Sequence, residues 1–523
     1  MIQIGMKVAF ALTIAGLAVA LASPLHADSL TVKTMQGKAH GKTINSGKVN
    51  AFLGLPYATP PVGNLRWKAP QPPAKWKGIR DATNFGARCA QGHVYDDMVF
   101  EDSGESEDCL FLNVYVPAEI KAKNKLPVMF WIHGGGYTAG TSSEPRHDGG
   151  FLPLKGVVLV TINYRLGVFG FLATTDLAKE ANGAAGNYGL LDMVAALEWV
   201  KANIGNFGGD PDNVTIFGES AGSFAVSTLM ASPVAKGLFQ KAIGESGSGF
   251  ALRSDARSLE EVEKKDDEWV ASLGVKSLEE LRALPTEKLL DAAKGKKLPN
   301  GYPPYVDGKF LTETVEAVYA AGKQAHVPLL AGWNLDEGAF VATHNVTVES
   351  WKSYVSDHFK DRAEEFLKLY PGDSDAQALR SAIDYGGDDF IAFGTWKWIE
   401  AQRKTGESPV YRYRFELAAP PNKDYPGGLF AFHSDDIVYV FGTLNSRPGA
   451  EWRPEDRELS DHMMSYWTNF AKTGDPNGPG LSKWPTYDKD DSLIHLDSII
   501  TAGPDTQRPR YEFLLNGMPE FHF

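Results

Sequence analysis

In Gly218-Glu219-Ser220-Ala221-Gly222 a serine stands between two glycines, each two positions away. A serine hydroxyl attacks a carbonyl only when a base takes its proton. This pentapeptide can hold a serine on a sharp strand-to-helix turn, because a Cβ at either glycine would meet the neighbouring strand or helix. Alone the signal is weak: in a chain with this much glycine, chance supplies about 0.3 matches. Context strengthens it, since Val214–Phe217 reads as a strand and the residues from about Ser223 as an apolar helix. Gly244-Glu245-Ser246-Gly247 is a decoy, because Ser248 stands where a second glycine would be needed.

A serine nucleophile also needs donors for the oxyanion it creates. His133-Gly134-Gly135-Gly136 follows the strand-like run Leu126–Ile132 and precedes the serine. Three glycines let backbone N–H groups approach a developing oxyanion without obstruction. The base and its orienting acid are expected in the order Ser, Asp/Glu, His. Asn334-Leu335-Asp336-Glu337-Gly338 follows the strand-like Val327–Gly332 and offers Asp336 or Glu337. Between Ser220 and residue 500 the histidines are His326, His344, His358, His433, His462 and His495. His433 precedes Ser434-Asp435-Asp436 and an apolar run, a loop position, whereas His358 and His462 lie inside helical patterns. A nucleotide-binding reading of Gly37-Lys38-Ala39-His40-Gly41-Lys42-Thr43 fails. Its first glycine is one residue late, and Ile44–Phe52 reads as turn and strand, not as the helix that phosphates need.

These residues require a scaffold that brings distant strand ends together. Leu126–His133 and Val157–Tyr164 are near-continuous apolar runs of the kind buried in parallel sheets. Leu190–Ile204 has helical spacing, and Lys241–Glu245 is a further strand. In Val410–Phe415, Tyr411, Tyr413 and Phe415 share one face, with Arg412 and Arg414 on the other. The β-α-β order predicts a doubly wound α/β sheet with helices on both faces. Residues 254–300 and about 348–405 are charged and helical, and are read as insertions forming a cap over the site. Phe250 and Tyr302 are candidate pocket walls, each as readily core.

Composition narrows the classes. The chain has 523 residues, 43% hydrophobic and 22% charged, a globular balance. Lys+Arg 52 against Asp+Glu 65 gives a net charge of −13, which repels phosphate backbones and argues against a nucleic-acid partner. Two cysteines exclude a disulfide-rich scaffold, a four-cysteine zinc site and a cysteine-ligated cluster. Val8–Ala22 is uncharged and apolar, and Ala20-Leu21-Ala22 and Leu25-His26-Ala27 offer cut sites. Residues 1–27 therefore read as a secretory signal cut after Ala22 or Ala27, leaving 28–523 as one exported domain, periplasmic or extracellular. No later run reaches the roughly 18 apolar residues of a membrane helix, so no stable insertion is expected. In an oxidising compartment Cys89 and Cys109 can pair.

The longer motifs resemble the type-B carboxylesterase family, which includes carboxylesterases, cholinesterases and bacterial para-nitrobenzyl esterases. Phe207–Gly222 fits the family's serine motif and Glu107–Pro117 its second motif. Phe52–Ala58, Pro61–Trp67 and Trp467–Ala471 resemble its terminal regions. The resemblance implies an α/β-hydrolase fold and a serine esterase acting on small-molecule esters. It implies Ser220 as nucleophile, Glu337 as acid in preference to Asp336, and His433 as base. Gly135, Gly136 and Ala221 would supply oxyanion N–H groups, and Glu219 and Ser246 would stand behind the triad. Cys89–Cys109 matches the family's first disulfide, while the second has no counterpart. No cofactor or metal is expected, and activity should rise with pH near 6–7 as His433 deprotonates. Some members have lost catalysis and serve as binding proteins; an intact triad argues against that alternative.

Overall fold

The computed structural model describes residues 30–119, 125–250, 259–294, 304–421, 430–488 and 491–517. The signal-like segment and Tyr302 lie outside the described residues. The near-continuous apolar runs become strands buried on both faces, and eleven strands join in one sheet. They are β1 (Lys42–Ile44), β2 (Val49–Pro56), β3 (Phe111–Pro117), β4 (Leu126–Ile132), β5 (Val158–Ile162) and β6 (Gly209–Glu219). The rest are β7 (Lys241–Glu245), β8 (Leu329–Asn334), β9 (Val410–Phe415), β10 (Ser492–Leu496) and β11 (Thr501–Pro504). Their order across the sheet is β11-β10-β9-β8-β7-β6-β4-β5-β3-β2-β1. The block from β10 to β5 is parallel, and antiparallel pairs close both edges. The sheet is the expected α/β type, with the antiparallel edges added.

Alternation along each strand divides the core between two faces. Val128, Phe130 and Ile132 of β4 face one buried cluster with Val158, Val160 and Ile162 of β5 and Val214 and Ile216 of β6. Met129, Trp131, Leu159 and Phe217 point the other way. Helices α1 (Tyr188–Asn203) and α2 (Ala221–Ala231) cover the first face. In the second insertion, α3 (Asp375–Gly387) leads through a π turn, Asp388–Ala392, into α4 (Phe393–Thr405), which also packs on this face. The opposite face is covered by Ile437–Phe441 and α5 (Pro454–Thr473), which delivers Leu459, Met463, Tyr466, Trp467 and Phe470.

The two charged stretches are helical, as expected, but they differ in role. Leu259–Ser272, Leu278–Arg282 and Thr286–Lys294 form a flank. Arg66 ties that flank to the disulfide segment, bonding Glu107 Oε2 at 2.7 Å and the carbonyls of Arg282 and Leu284 at 2.9 and 2.8 Å. The end of the second stretch is not cap at all, because α4 is the crossover helix between the parallel strands β8 and β9. Phe250 is core, packed edge to face on Tyr319 at 5.1 Å.

On β9 the alternation is unusual in what it buries. Tyr411, Tyr413 and Phe415 enter the α5 side, and Arg412 is driven into the other. Its guanidinium lies 4.3 Å from the Trp333 ring centroid and pairs with Asp505, beside β11. Among the described residues, Nε and Nη2 of Arg412 have no hydrogen-bond partner, so Asp505 is the group that compensates its charge. Removing one partner of a buried pair strands the other charge. Asp505→Ala is therefore expected to cost about 3–5 kcal/mol in denaturant unfolding. A loss within error of wild type would show that the pair does not hold the sheet edge.

Candidate active site

Ser220 occupies the single residue between β6 and α2. Its backbone sits at φ 53° and ψ −121°, a conformation that L residues seldom adopt and that costs about 1–3 kcal/mol to hold. Two hydrogen bonds fix it: Ser220 N–H donates to Glu245 O, and Phe224 N–H donates to Ser220 O, both at 2.9 Å. The turn closes because Gly222 has no side chain. A Cβ there would lie 2.0 Å from the carbonyl oxygen of Ile132, the last residue of β4.

The glycine run after β4 lies directly against this turn. A Cβ on Gly134 would stand 2.6 Å from Glu219 Oε2 and 3.2 Å from Ser220 Cβ. Among the described residues, nothing accepts a hydrogen bond from the N–H of Gly135, Gly136 or Ala221. Three unused donors beside a half-buried serine hydroxyl are a ready anion site. The loop closed by the Cys89–Cys109 disulfide passes over them. The Tyr95 hydroxyl is 3.1 Å from where a Gly136 Cβ would be.

Glu337 and His433 come together from the ends of β8 and of the chain beyond β9. His433 Nδ1 and Glu337 Oε2 are 2.6 Å apart, and Glu337 Oε1 accepts Asn334 N–H at 2.8 Å. Asp336, its neighbour, points elsewhere. Its Oδ2 accepts Ala431 N–H at 2.9 Å and its Oδ1 binds Arg380 Nη1 at 2.5 Å. Asp336 N–H donates to Ala431 O at 2.9 Å, and Asn334 Nδ2 donates to Phe432 O at 2.7 Å. Asp336 and Asn334 thus sew the acid's loop to the histidine's loop, leaving Glu337 free to meet the imidazole. His326, His358 and His495 are bonded away from this place, to Gly322 O, Tyr354 O and Glu416.

The other ring nitrogen, Nε2, lies 3.2 Å from Glu219 Oε1. Among the described residues no hydrogen bond joins Ser220 Oγ to His433. Such bonds are often long before substrate arrives and tighten in the complex. Ser246 follows the last residue of β7, its N–H bonded to Gly332 O at 2.9 Å and its hydroxyl buried and unbonded among the described residues.

Buried carboxylates dominate the electrostatics. Burial works against the charged imidazole of His433, but Glu219 and Glu337 more than offset it and push its pKa up to about 9. Burial raises the Glu219 carboxyl to about 8, against the pull of His433 and Arg146. Glu245 is also held well above the usual carboxylate range, by burial and by its neighbours Asp436 and Glu219. The carboxylates Glu337 and Glu219 on its two ring nitrogens thus favour the charged form of the His433 imidazole. The cause lies in β6: Glu219 is carried there by the same turn that presents Ser220.

Two aromatic residues that the sequence did not single out also stand here. Phe390 touches the His433 ring, with centroids 4.9 Å apart, and Phe340 touches Phe390. Neither belongs to a motif, and both come from irregular turns, so residue type was their only signal.

Comparison with known proteins places these observations. The family model described as the carboxylesterase family matches residues 28–513. A para-nitrobenzyl esterase of Bacillus subtilis (strain 168) is 38% identical over 508 residues, covering 92% of this chain and 98% of that one. A fumonisin B1 esterase of Sphingopyxis macrogoltabida is 35% identical over 520 residues, covering 95% and 92%. Among solved structures, a PNB esterase superposes with a TM-score of 0.78 at 36% identity, covering 93% of this chain and all of that one. A Geobacillus stearothermophilus carboxylesterase gives 0.80 at 35%, covering 92% and 99%.

The electrostatic arrangement can be tested without turnover. Nitrogen-labelled histidine followed by NMR should place the His433 midpoint above 6.5, and Glu219→Gln should lower it. A midpoint that Glu219→Gln leaves in place would mean that the 3.2 Å contact carries no charge coupling.

Proposed function

The chain belongs to the carboxylesterase family, and on that premise we propose that Ser220, His433 and Glu337 hydrolyse carboxylic esters through an acyl-enzyme. The family and its esterase relatives make the protein a carboxylic ester hydrolase. The observation that carries the finer reading is one constellation. A strained serine stands at a strand-to-helix turn, three unused N–H groups lie beside it, and a histidine is held at 2.6 Å by a buried glutamate.

The chemistry follows from these positions. Neutral His433 takes the Ser220 proton on Nε2 as Oγ bonds to the ester carbonyl carbon. The N–H groups of Gly135, Gly136 and Ala221 hold the resulting oxyanion; one such donor contributes about 3–4 kcal/mol of barrier lowering. When the tetrahedral centre collapses, the carbon–alkoxy bond breaks and His433 returns the proton to the leaving alcohol oxygen. Water then attacks the acyl-enzyme with His433 again as base, releasing the acid and restoring Ser220. Glu337 keeps Nδ1 protonated and stabilises the imidazolium. Glu219 favours the imidazolium as well, which lowers the barrier to proton uptake but delays the neutral form to higher pH.

The substrates are small-molecule esters. Among the described residues no helix is long and apolar enough to cross a membrane. The disulfide and the signal-like first residues support export to an oxidising compartment.

Ser220→Ala is expected to abolish hydrolysis of p-nitrophenyl acetate while leaving the unfolding transition near that of wild type. A folded variant with near wild-type rate would remove Ser220 from the mechanism. Because the base must be neutral, kcat/KM should rise with pH along a limb above the ordinary histidine value. A profile flat from pH 5 to 9 would remove His433.

A further inference from the structure

The loop that carries the glycine run after β4 is gripped at its far end by a side chain of the disulfide segment. Residues 133–140 fold back on themselves: the N–H groups of Thr138 and Ala139 both donate to Gly135 O at 3.0 Å. Gly135, Gly136, Tyr137 and Gly140 all have positive φ, at 97°, 62°, 57° and 114°. Tyr137, which has a Cβ, keeps such a backbone only where its surroundings over-determine it. The Gln91 carboxamide supplies that constraint. Its Oε1 accepts Gly140 N–H at 2.9 Å, and its Nε2 donates to Gly140 O at 3.0 Å. Nε2 also donates to Cys89 O at 2.9 Å.

Only a carboxamide carries an acceptor and two donors on one planar side-chain group. Here the acceptor and both donors are used. A flipped amide would set Oε1 against two carbonyl oxygens, so one orientation fits. The side chain is buried, which keeps water from replacing these bonds. The backbone beneath it is seated as firmly. Arg88–Cys89 pairs in parallel with Glu105–Ser106. Ala90 N–H donates to Ser106 O at 3.1 Å, and Glu105 Oε2 accepts the N–H groups of Gln91 and Gly92 at 3.3 and 3.0 Å. The Cys89–Cys109 disulfide closes the same segment.

What holds Gly140 also holds the glycines before it. A Cβ on Gly140 would lie 2.3 Å from His133 Nδ1 and 2.9 Å from Gly134 O, and one on Gly135 would lie 2.2 Å from Ala139 O. The two limbs of the loop therefore touch, with Gly135 and Gly136 at the bend between them. On the mechanism proposed above, those two residues aim N–H groups at an oxyanion about 2.7–3.1 Å away. We propose that Gln91 is a positioning residue for this step: by clamping Gly140 to the disulfide segment, it keeps the Gly135 and Gly136 donors aimed at the oxyanion. It acts through Gly140, not on the substrate. Its loss should therefore weaken the transition state more than the bound ester.

The test compares two ketone inhibitors in Gln91→Glu, which keeps the side-chain shape and gives up the amide donors. An aryl trifluoromethyl ketone accepts Ser220 Oγ on its carbonyl carbon; the carbonyl oxygen becomes an oxyanion and His433 takes the serine proton. The methyl counterpart binds as an unreacted ketone. The trifluoromethyl ketone Ki should rise about 10–100-fold, short of the roughly 10²–10³ that loss of a whole donor costs. The methyl ketone Ki should change less than about threefold, and kcat/KM for p-nitrophenyl acetate should fall in step with the first. Neither Ki depends on how much of the sample is folded, so lost stability alone leaves their ratio in place. Glu105→Ala, at an exposed side chain, frees the Gln91 backbone and should move the ratio about threefold in the same direction. An unchanged ratio in Gln91→Glu, or equal weakening of both ketones, overturns the proposal. If that variant does not fold, an unchanged ratio in Glu105→Ala overturns it. Equal affinity of the wild-type protein for the two ketones would instead overturn the serine mechanism on which the proposal rests.

Discussion

The carbonyl oxygen of Ile132 leaves no space for a side chain at Gly222, and the active edge is arranged around that contact. It lets α2 begin one residue after β6 ends, which forces Ser220 into a left-handed conformation and out of both elements. The same closeness brings the glycine run after β4 against Glu219 and Ser220. Because β4, β6, β7 and β8 are parallel neighbours, their carboxyl ends share one edge of the sheet. The N–H groups of the glycine run, Ser220, buried Glu245 and Glu337 are thereby delivered side by side from positions far apart in the chain.

The site is more acidic than a serine needs. Glu337 alone would orient the imidazole; Glu219 adds a second carboxylate at its other nitrogen, and Asp436 and Glu245 lie close behind. Burial and mutual repulsion hold Glu219, Glu245 and Asp436 above the usual carboxylate range. On the proposed mechanism, the carboxylates on both ring nitrogens favour the imidazolium that forms when Ser220 gives up its proton.

Much of this was legible in the residues, and what was not has a physical reason. Lys241–Glu245 and Val410–Phe415 are strands over the same residues in sequence and structure, because apolar or alternating runs bounded by polar residues leave little choice of register. β6 begins at Gly209 instead of Val214, its first residues hidden by Asp210-Pro211-Asp212 and a break in register against β4. Of the antiparallel strands, β1 has only three residues and β3 is interrupted by Asn113, while β2 overlaps the turn and strand read at Ile44–Phe52. Asp336 and Glu337 were indistinguishable by type and spacing; the bonds from Ala431 and Arg380 occupy Asp336, and those partners lie 95 and 44 residues away. Phe340 and Phe390 are invisible for the same reason, since an exposed phenylalanine acquires meaning only from what long-range folding sets beside it.

The 96-residue separation of Glu337 and His433 also sets a timetable. A chain emerging from the ribosome presents Ser220 long before its partners exist, and the glutamate long before the imidazole. On the proposed mechanism, Ser220 has no base until residues 431–433 are sewn to 334–336. α5 arrives later still, and its Trp467 indole reaches back 222 residues to Glu245, directly behind the serine. Contacts so remote in sequence form slowly. On the proposed mechanism the growing polypeptide is chemically silent toward cellular esters for most of its synthesis, and it becomes an esterase only when its last fifth has docked.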